Sequence, residues 1–419
     1  MIDPAAVRPR FPALQMEQDG QPVLFFDNPA GTQVPQPTID GYARYLRCAN
    51  ANVGGTFLTS RETDRLIEEA RHAAADFLNG SPGEIVFGPN MTTLTFSLSR
   101  AIGRTLRPGD EIVTTRLEHD ANVAPWLALE ERGVTVRFIA VDPVTMTLDL
   151  DSVRRAITDR TRLLAVGLAS NAFGTVNDVS RLTELAHERG ALVFVDAVAF
   201  APHGPIDVRQ LGCDVLVCSA YKFFGPHLGI LWSRRELLET LPAYRVRPAG
   251  EEPPGKWETG TQNHEALAAL LGTFEYLASL GAGAGRRARL ADAMAGVQAH
   301  ERELAVRLIA GLQAVPGVRV FGITDPAAFD RRVPTVSFTV VGHEPEDLAR
   351  SLGEQGIFTW AGNHYAVEPM ACLGLTGTNR VGLVHYNTAG EIDRFLGTLE
   401  ELTRGKRSVS SVSHWGEQP

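Results

Sequence analysis

Between residues 84 and 233 the chain alternates two textures. Short runs that are apolar at nearly every position are separated by segments in which apolar residues recur every three to four positions. The runs are EIVFG (84–88), EIVTT (111–115), VTVRFIAV (134–141), RLLAVGLAS (162–170), ALVFVD (191–196), DVLVCS (214–219) and LGILWS (228–233). Strands covered on both faces read this way. A segment such as 180–189, with Leu182, Leu185 and Ala186 on one side and Gly190 closing it, reads as a helix with its stop signal. Strand alternating with helix predicts an α/β architecture: a mainly parallel seven-stranded sheet with helices on both sides. Ligands of such sheets sit at the carboxyl ends of the strands. An earlier helix over 61–78 places Leu66, Ile67, Ala70, Ala74, Phe77 and Leu78 on one stripe.

After Gly281 the pattern changes. A long amphipathic helix over 291–314 is broken by Pro316-Gly317, and strands VRVF and TVSFTV (335–340) follow, then a helix over 344–355. Two more short strands and a helix over 390–402 complete a smaller α+β unit. A chain of 419 residues is too long for one ordinary core. The pattern divides it into an N-terminal segment (1–24) packing with the small domain, a large domain (25–280), a small C-terminal domain (281–404) and a polar tail (405–419) read as disordered.

Composition narrows the function. A net charge of −9 argues against a nucleic-acid partner, which would call for a basic face. The four cysteines form no Cys-x-x-Cys pair, and Cys213 and Cys218, within LGCDVLVCS, read as buried hydrophobes in a reducing compartment. The N-terminal MIDPAAVRPRFPALQ has no apolar signal core, and no run of about 18 apolar residues could span a membrane. A soluble, cytoplasmic protein acting on a small molecule, without metal, is the expectation.

Two residues point to chemistry. The segment CSAYKFFGPHLG (218–229) leaves a buried strand and reaches Lys222 beside Phe223 and Phe224. A lysine desolvated there has a lowered pKa and can form a Schiff base, although a surface lysine in a loop fits this segment equally well. The strand LVFVDAVAF ends on Asp196, a carboxylate among apolar residues. A buried acid needs a charged partner, and a protonated pyridine nitrogen is one; a metal or a helix cap are the alternatives.

With these two residues in place, the chain resembles the class V aminotransferase family, in particular its cysteine desulfurase-like branch, from about Phe25 to Thr403. The resemblance implies the type I fold of pyridoxal-5′-phosphate enzymes. SAYKFFGP resembles the Schiff-base segment, giving Lys222, and VDAVAFAPHGPIDV the segment whose Asp196 binds the pyridine nitrogen. EHDANVAPW implies His119 stacked on the ring, and SNAFGT implies Asn171 beside ring oxygen and substrate. FGPNMTTLT implies a phosphate site at Asn90, Met91 and Thr92, with Thr93 if the register slips, and Ser219 and Tyr221 face the same phosphate. ETGTQN implies that Thr261 reaches the phosphate of a neighbouring subunit, hence a homodimer with shared active sites. NRVGLVHYNT implies Arg380 as the fork for the substrate α-carboxylate, with His364 also beside the substrate.

The chain departs from the branch at three places. The loop position of the sulfur-accepting cysteine is Tyr365, within GNHYA, and Cys372 follows seven residues later. Ala199 stands where a ring-oxygen donor is usual, and Tyr221 where a His often precedes the lysine. A phenol does not accept a persulfide sulfur. The sequence therefore predicts an enzyme working on an amino acid through an external aldimine, a C–S or other β-eliminating lyase with Tyr365 as candidate acid, and not a persulfide-forming desulfurase. Aminotransferase or epimerase chemistry is the alternative. A non-catalytic binding protein on the same fold is a further one, against which Lys222, Asp196, His119 and Arg380 together speak.

Overall fold

The computed structural model describes residues 2–407. Expectations for 408–419, most of the predicted tail, lie outside the described residues. The last helix continues to Arg407.

Seven strands form the main sheet: β1 Ile85–Gly88, β2 Glu111–Thr115, β3 Thr135–Ile139, β4 Thr161–Gly167, β5 Leu192–Asp196, β6 Val215–Ser219 and β7 Gly229–Ser233. Their order is β1-β7-β6-β5-β4-β2-β3. The pairs from β6 to β3 are parallel, and β7 runs antiparallel to both β6 and β1. Each strand lies within three residues of its apolar run. The interior strands β4 to β7 carry Val, Leu and Ile on both faces because both faces are covered, and all five residues of β6 and of β7 are buried.

Helices pack on this sheet. Helix α1 spans Gln36–Cys48, α2 Leu58–Leu78, α3 Met91–Gly103, α4 Val179–His187 and α5 His264–Ala278. Ala70, Ala74, Phe77 and Leu78 of α2 are buried as its stripe requires, whereas Leu66 and Ile67 are only partly so. Helix α4 stops at Gly190, whose φ of +70° suits glycine.

The long α6 (Arg286–Ala314) leads to a second, antiparallel sheet of β8 Val318–Val320, β9 Thr335–Val340, β10 Trp360–Gly362 and β11 Thr378–Gly382, ordered β8-β9-β11-β10. Helices α7 (Pro345–Glu354), α8 (Val367–Leu373) and α9 (Ala389–Arg407) accompany it. Its core gathers Leu308, Phe338, Leu352, Phe395 and Leu399. The N-terminal segment serves both cores. Val7, Phe11 and Leu14 enter the first, while Leu24 and Phe26 enter the second, where Leu24–Phe25 pairs in parallel with Ile357–Phe358. Among the described residues, no helix is long and apolar enough to cross a membrane.

Candidate active site

The carboxyl ends of β2, β4, β5 and β6 open into one cleft of about 790 Å³, and the second sheet supplies its opposite wall. Strand β6 ends at Ser219, and one 3-10 turn over Ala220–Lys222 delivers the lysine. Phe224 closes that turn at a φ of +70°, its N–H donating to Thr32 Oγ1 at 2.8 Å. Lys222 Nζ donates to the carbonyls of Pro29 and Ala30. Burial, helped by the Arg380 cation and opposed by Asp196, pulls the amine down from 10.5 to about 7. Cofactor capture by the apoenzyme needs this amine neutral. Capture should therefore accelerate through about pH 7 and level off above it. Stopped-flow absorbance against pH checks this; a rate still climbing near pH 10 would mark Lys222 as an ordinary lysine.

Asp196 ends β5 with its Oδ1 accepting the Val198 N–H at 2.9 Å. Burial raises its pKa to about 6, against the Val198 N–H and Lys222, and a cation set beside it would favour the charged form. His119 follows β2. Its Nδ1 accepts the Ala121 N–H at 3.0 Å, which leaves the ring proton on Nε2. Burial, Lys222 and Arg380 lower its pKa to about 4, so the ring is neutral and free to stack.

Helix α3 points its N-terminus into the cleft. Asn90 caps it by accepting from Thr93 N at 2.8 Å, and Met91 N donates to Ser219 Oγ at 3.0 Å. The helix end sits so close to β7 that a Cβ on Gly229 would meet the Asn90 carbonyl carbon at 2.4 Å. Tyr221, stacked on His227 with centroids 4.8 Å apart, lines the cleft beside Ser219.

Arg380 enters from the middle of β11, paired with Ser337 and Trp360. Its Nη1 donates to the Asn171 carbonyl at 2.9 Å, and its Nε is buried without a partner among the described residues. The side chain of Asn171 donates to the His364 carbonyl at 2.8 Å and leaves its own Oδ1 buried and unpartnered. His364 and Tyr365 both have positive φ, 57° and 55°. This bent pair is held from the large-sheet side by Asn171 and by the Asp120 N–H, which donates to the Tyr365 carbonyl at 2.8 Å. Tyr365 is 70% exposed, and its ring stacks on His119 at 5.5 Å.

A phosphorylated pyridine aldehyde fits these residues. The cleft offers a capped helix end for an anion, a buried acid for a ring nitrogen, a neutral imidazole, a depressed lysine amine, and unused polar atoms on Asn171 and Arg380. The structure brings together every candidate site residue named from the sequence except Thr261, and Cys372 also lies outside the cleft. Thr261 is exposed and lines a separate cavity of about 520 Å³. Sequence reasoning missed Asp27, a half-buried acid beside Arg380 whose pKa desolvation raises to about 6, and Glu118, which lines the cleft floor. Glu118 stood inside the quoted EHDANVAPW motif without a role. For Asp27 the only signal is a lone acid after an apolar FF pair.

Residues 24–395 match the family model of class V aminotransferases. A probable cysteine desulfurase of Mycolicibacterium paratuberculosis is 34% identical over 98% of the chain, which spans 59% of that longer protein. A probable cysteine desulfurase of Pseudomonas aeruginosa is 35% identical over 95% of this chain and 98% of its own length. The apo structure of a cysteine desulfurase from Thermococcus onnurineus superposes with a TM-score of 0.87 at 30% identity, covering 97% of this chain and 99% of that one. These findings establish the type I fold and pyridoxal 5′-phosphate as the cofactor. They also overturn the expectation of a lyase outside persulfide chemistry, because relatives at 30–35% identity are named desulfurases. Tyr365 alone does not decide the reaction: a sulfur-accepting thiol has only to reach the substrate sulfur, and the similarity runs through nearly the whole chain. The chain belongs to the class V aminotransferase family.

Proposed function

We propose that the protein is a cysteine desulfurase, which takes the sulfur of free cysteine, leaves alanine, and passes the sulfur to a thiol as a persulfide. The reaction balances as cysteine plus R–SH giving alanine plus R–S–SH. The observation that carries it is the convergence of Lys222, Asp196, His119 and Arg380 on one cleft in a chain similar to desulfurases almost end to end. Bound cofactor supplies an electron sink next to the substrate Cα. Arg380 holds the α-carboxylate, with Asn171 and His364 beside it. Lys222 would move the Cα proton. Asp196 would keep the ring nitrogen charged, and His119 would cover the ring. The α3 N-terminus with Asn90, Met91, Thr92, Ser219 and Tyr221 holds the phosphate. Tyr365 narrows the mouth over the substrate sulfur.

A second copy of the chain completes the site in this reading. Thr261 is exposed, and the cavity beside it carries the exposed apolar Val53 and Val246, a surface suited to cover by another subunit.

No cysteine lines the cleft, and Cys372 on α8 is only half-buried, with its thiol pKa raised by burial. Incubation with cysteine, with and without an added small thiol, tests the proposal. Alanine formed in step with persulfide, located by mass spectrometry on Cys372 or on the added thiol, is the expected result. Pyruvate and ammonia in place of alanine would overturn it.

A further inference from the structure

Glu118 is 3% exposed, and among the described residues no cation forms an ion pair with it. Three donors converge on its carboxyl group instead. The Thr115 hydroxyl donates to Oε1 at 2.6 Å, Asn122 Nδ2 donates to Oε2 at 2.8 Å, and the Gly167 N–H also donates to the group. Asn122 is itself fixed by the Trp126 indole, which donates to Oδ1 at 3.2 Å, and Thr115 Oγ1 accepts the Leu117 N–H at 3.1 Å. The turn that leaves β2 is thus wound around this one side chain, and His119 is the next residue.

The same side chain lies under the pyridine end of the site. Gly167 closes β4 and stands in register with Asp196 on β5. A Cβ at Gly167 would meet Glu118 Oε2 at 3.1 Å, so the strand end is bare where the carboxyl group reaches it. Glu118 and Asp196 therefore flank one strand end in a buried floor. Desolvation in that floor penalises two negative charges side by side.

We infer that Glu118 is a positioning residue, which ties the turn leaving β2 to the end of β4 and so fixes the His119 imidazole over the ring site. Burial outweighs the three donors and, with Asp196 adding to the effect, raises its pKa to about 7, so the turn is tied by hydrogen bonds and not by an ion pair. A glutamine amide can keep the network, since its oxygen accepts and its nitrogen donates to Thr115 Oγ1, whose hydroxyl can turn to accept.

The inference rests on the cofactor and not on the desulfurase reading, so its test avoids turnover. Glu118→Gln and Glu118→Ala holoenzymes would be compared by the visible circular dichroism of the bound cofactor and by the equilibrium constant for cofactor release. Gln should keep the dichroic band and the affinity within about twofold. Ala leaves three buried donors unanswered and should lose the band and about tenfold or more in affinity. If Ala does not fold, Thr115→Val takes its place, with a weakened band expected. A wild-type band in Ala or in Thr115→Val would remove Glu118 from any positioning role. A Gln variant as damaged as Ala would overturn positioning through these hydrogen bonds.

Discussion

Lys222→Ala should fold, bind the cofactor only by non-covalent contacts, and lose roughly 10²–10⁴-fold in turnover. Two tasks meet on this amine. In the proposed function it would retain the cofactor covalently and, when free, would be the base best placed to move the Cα proton. The structure shows how it is prepared. In place of an acid, two backbone carbonyls, of Pro29 and Ala30, hold the amine, and Arg380 disfavours its charged form. The mutant should release its cofactor on dialysis, and borohydride should attach none to the protein. Turnover near the wild-type rate would take Lys222 out of the mechanism.

Arg380→Lys should raise the KM for cysteine by roughly ten- to a hundredfold, with a smaller effect on kcat. The guanidinium offers two parallel donors to a carboxylate, and one charge-assisted bond is worth about 1.5–3 kcal/mol. Lysine keeps the charge and loses the fork. In the structure one nitrogen of Arg380 is committed to the Asn171 carbonyl while Nε is unsatisfied, so the group is oriented with donors to spare. Steady-state kinetics decide the matter. An unchanged KM would mean that Arg380 only braces the Asn171 loop.

The strands of the main sheet were legible because burial on both faces removes polar residues from them, so each run ends close to its strand. The centres of α2, α4 and α6 were legible through their stripes, although α6 begins at Arg286, ahead of the expected 291, in a turn whose residues are largely charged. Helix α5 left no such trace. Thirteen of its residues are buried, including Leu267, Leu270, Phe274 and Leu277, and a helix apolar all round has no stripe. Lys222 and Asp196 could be read from strand ends alone. His119, Asn171 and Arg380 needed the family resemblance, since a single His, Asn or Arg in a loop or strand carries no local signal. Asp27 and Glu118 act through tertiary neighbours, which no spacing along the chain reveals. The reaction was misread for a related reason. One substituted loop residue was set against a chain-long resemblance, although sulfur transfer depends on reach in space.

The segment around residues 24–30 ties the order of assembly to the chemistry. The Leu24 N–H donates to the Gly356 carbonyl and the Phe26 N–H to that of Phe358, the Phe26 carbonyl accepts the Gly382 N–H, and Asn28 donates to the carbonyl of Gly382. On a ribosome these early residues emerge first and must wait for nearly the whole chain. Until then, Leu24 and Phe26 remain unpaired apolar surface. Pro29 and Ala30, whose carbonyls hold the Lys222 amine, belong to the same stretch. A nascent chain arrested before β11 would carry the main sheet and Asp196, but neither Arg380 nor a seated Lys222. The competence to capture cofactor productively is then a late event of synthesis, and incomplete chains are kept from exposing a reactive amine already set for carbonyl chemistry.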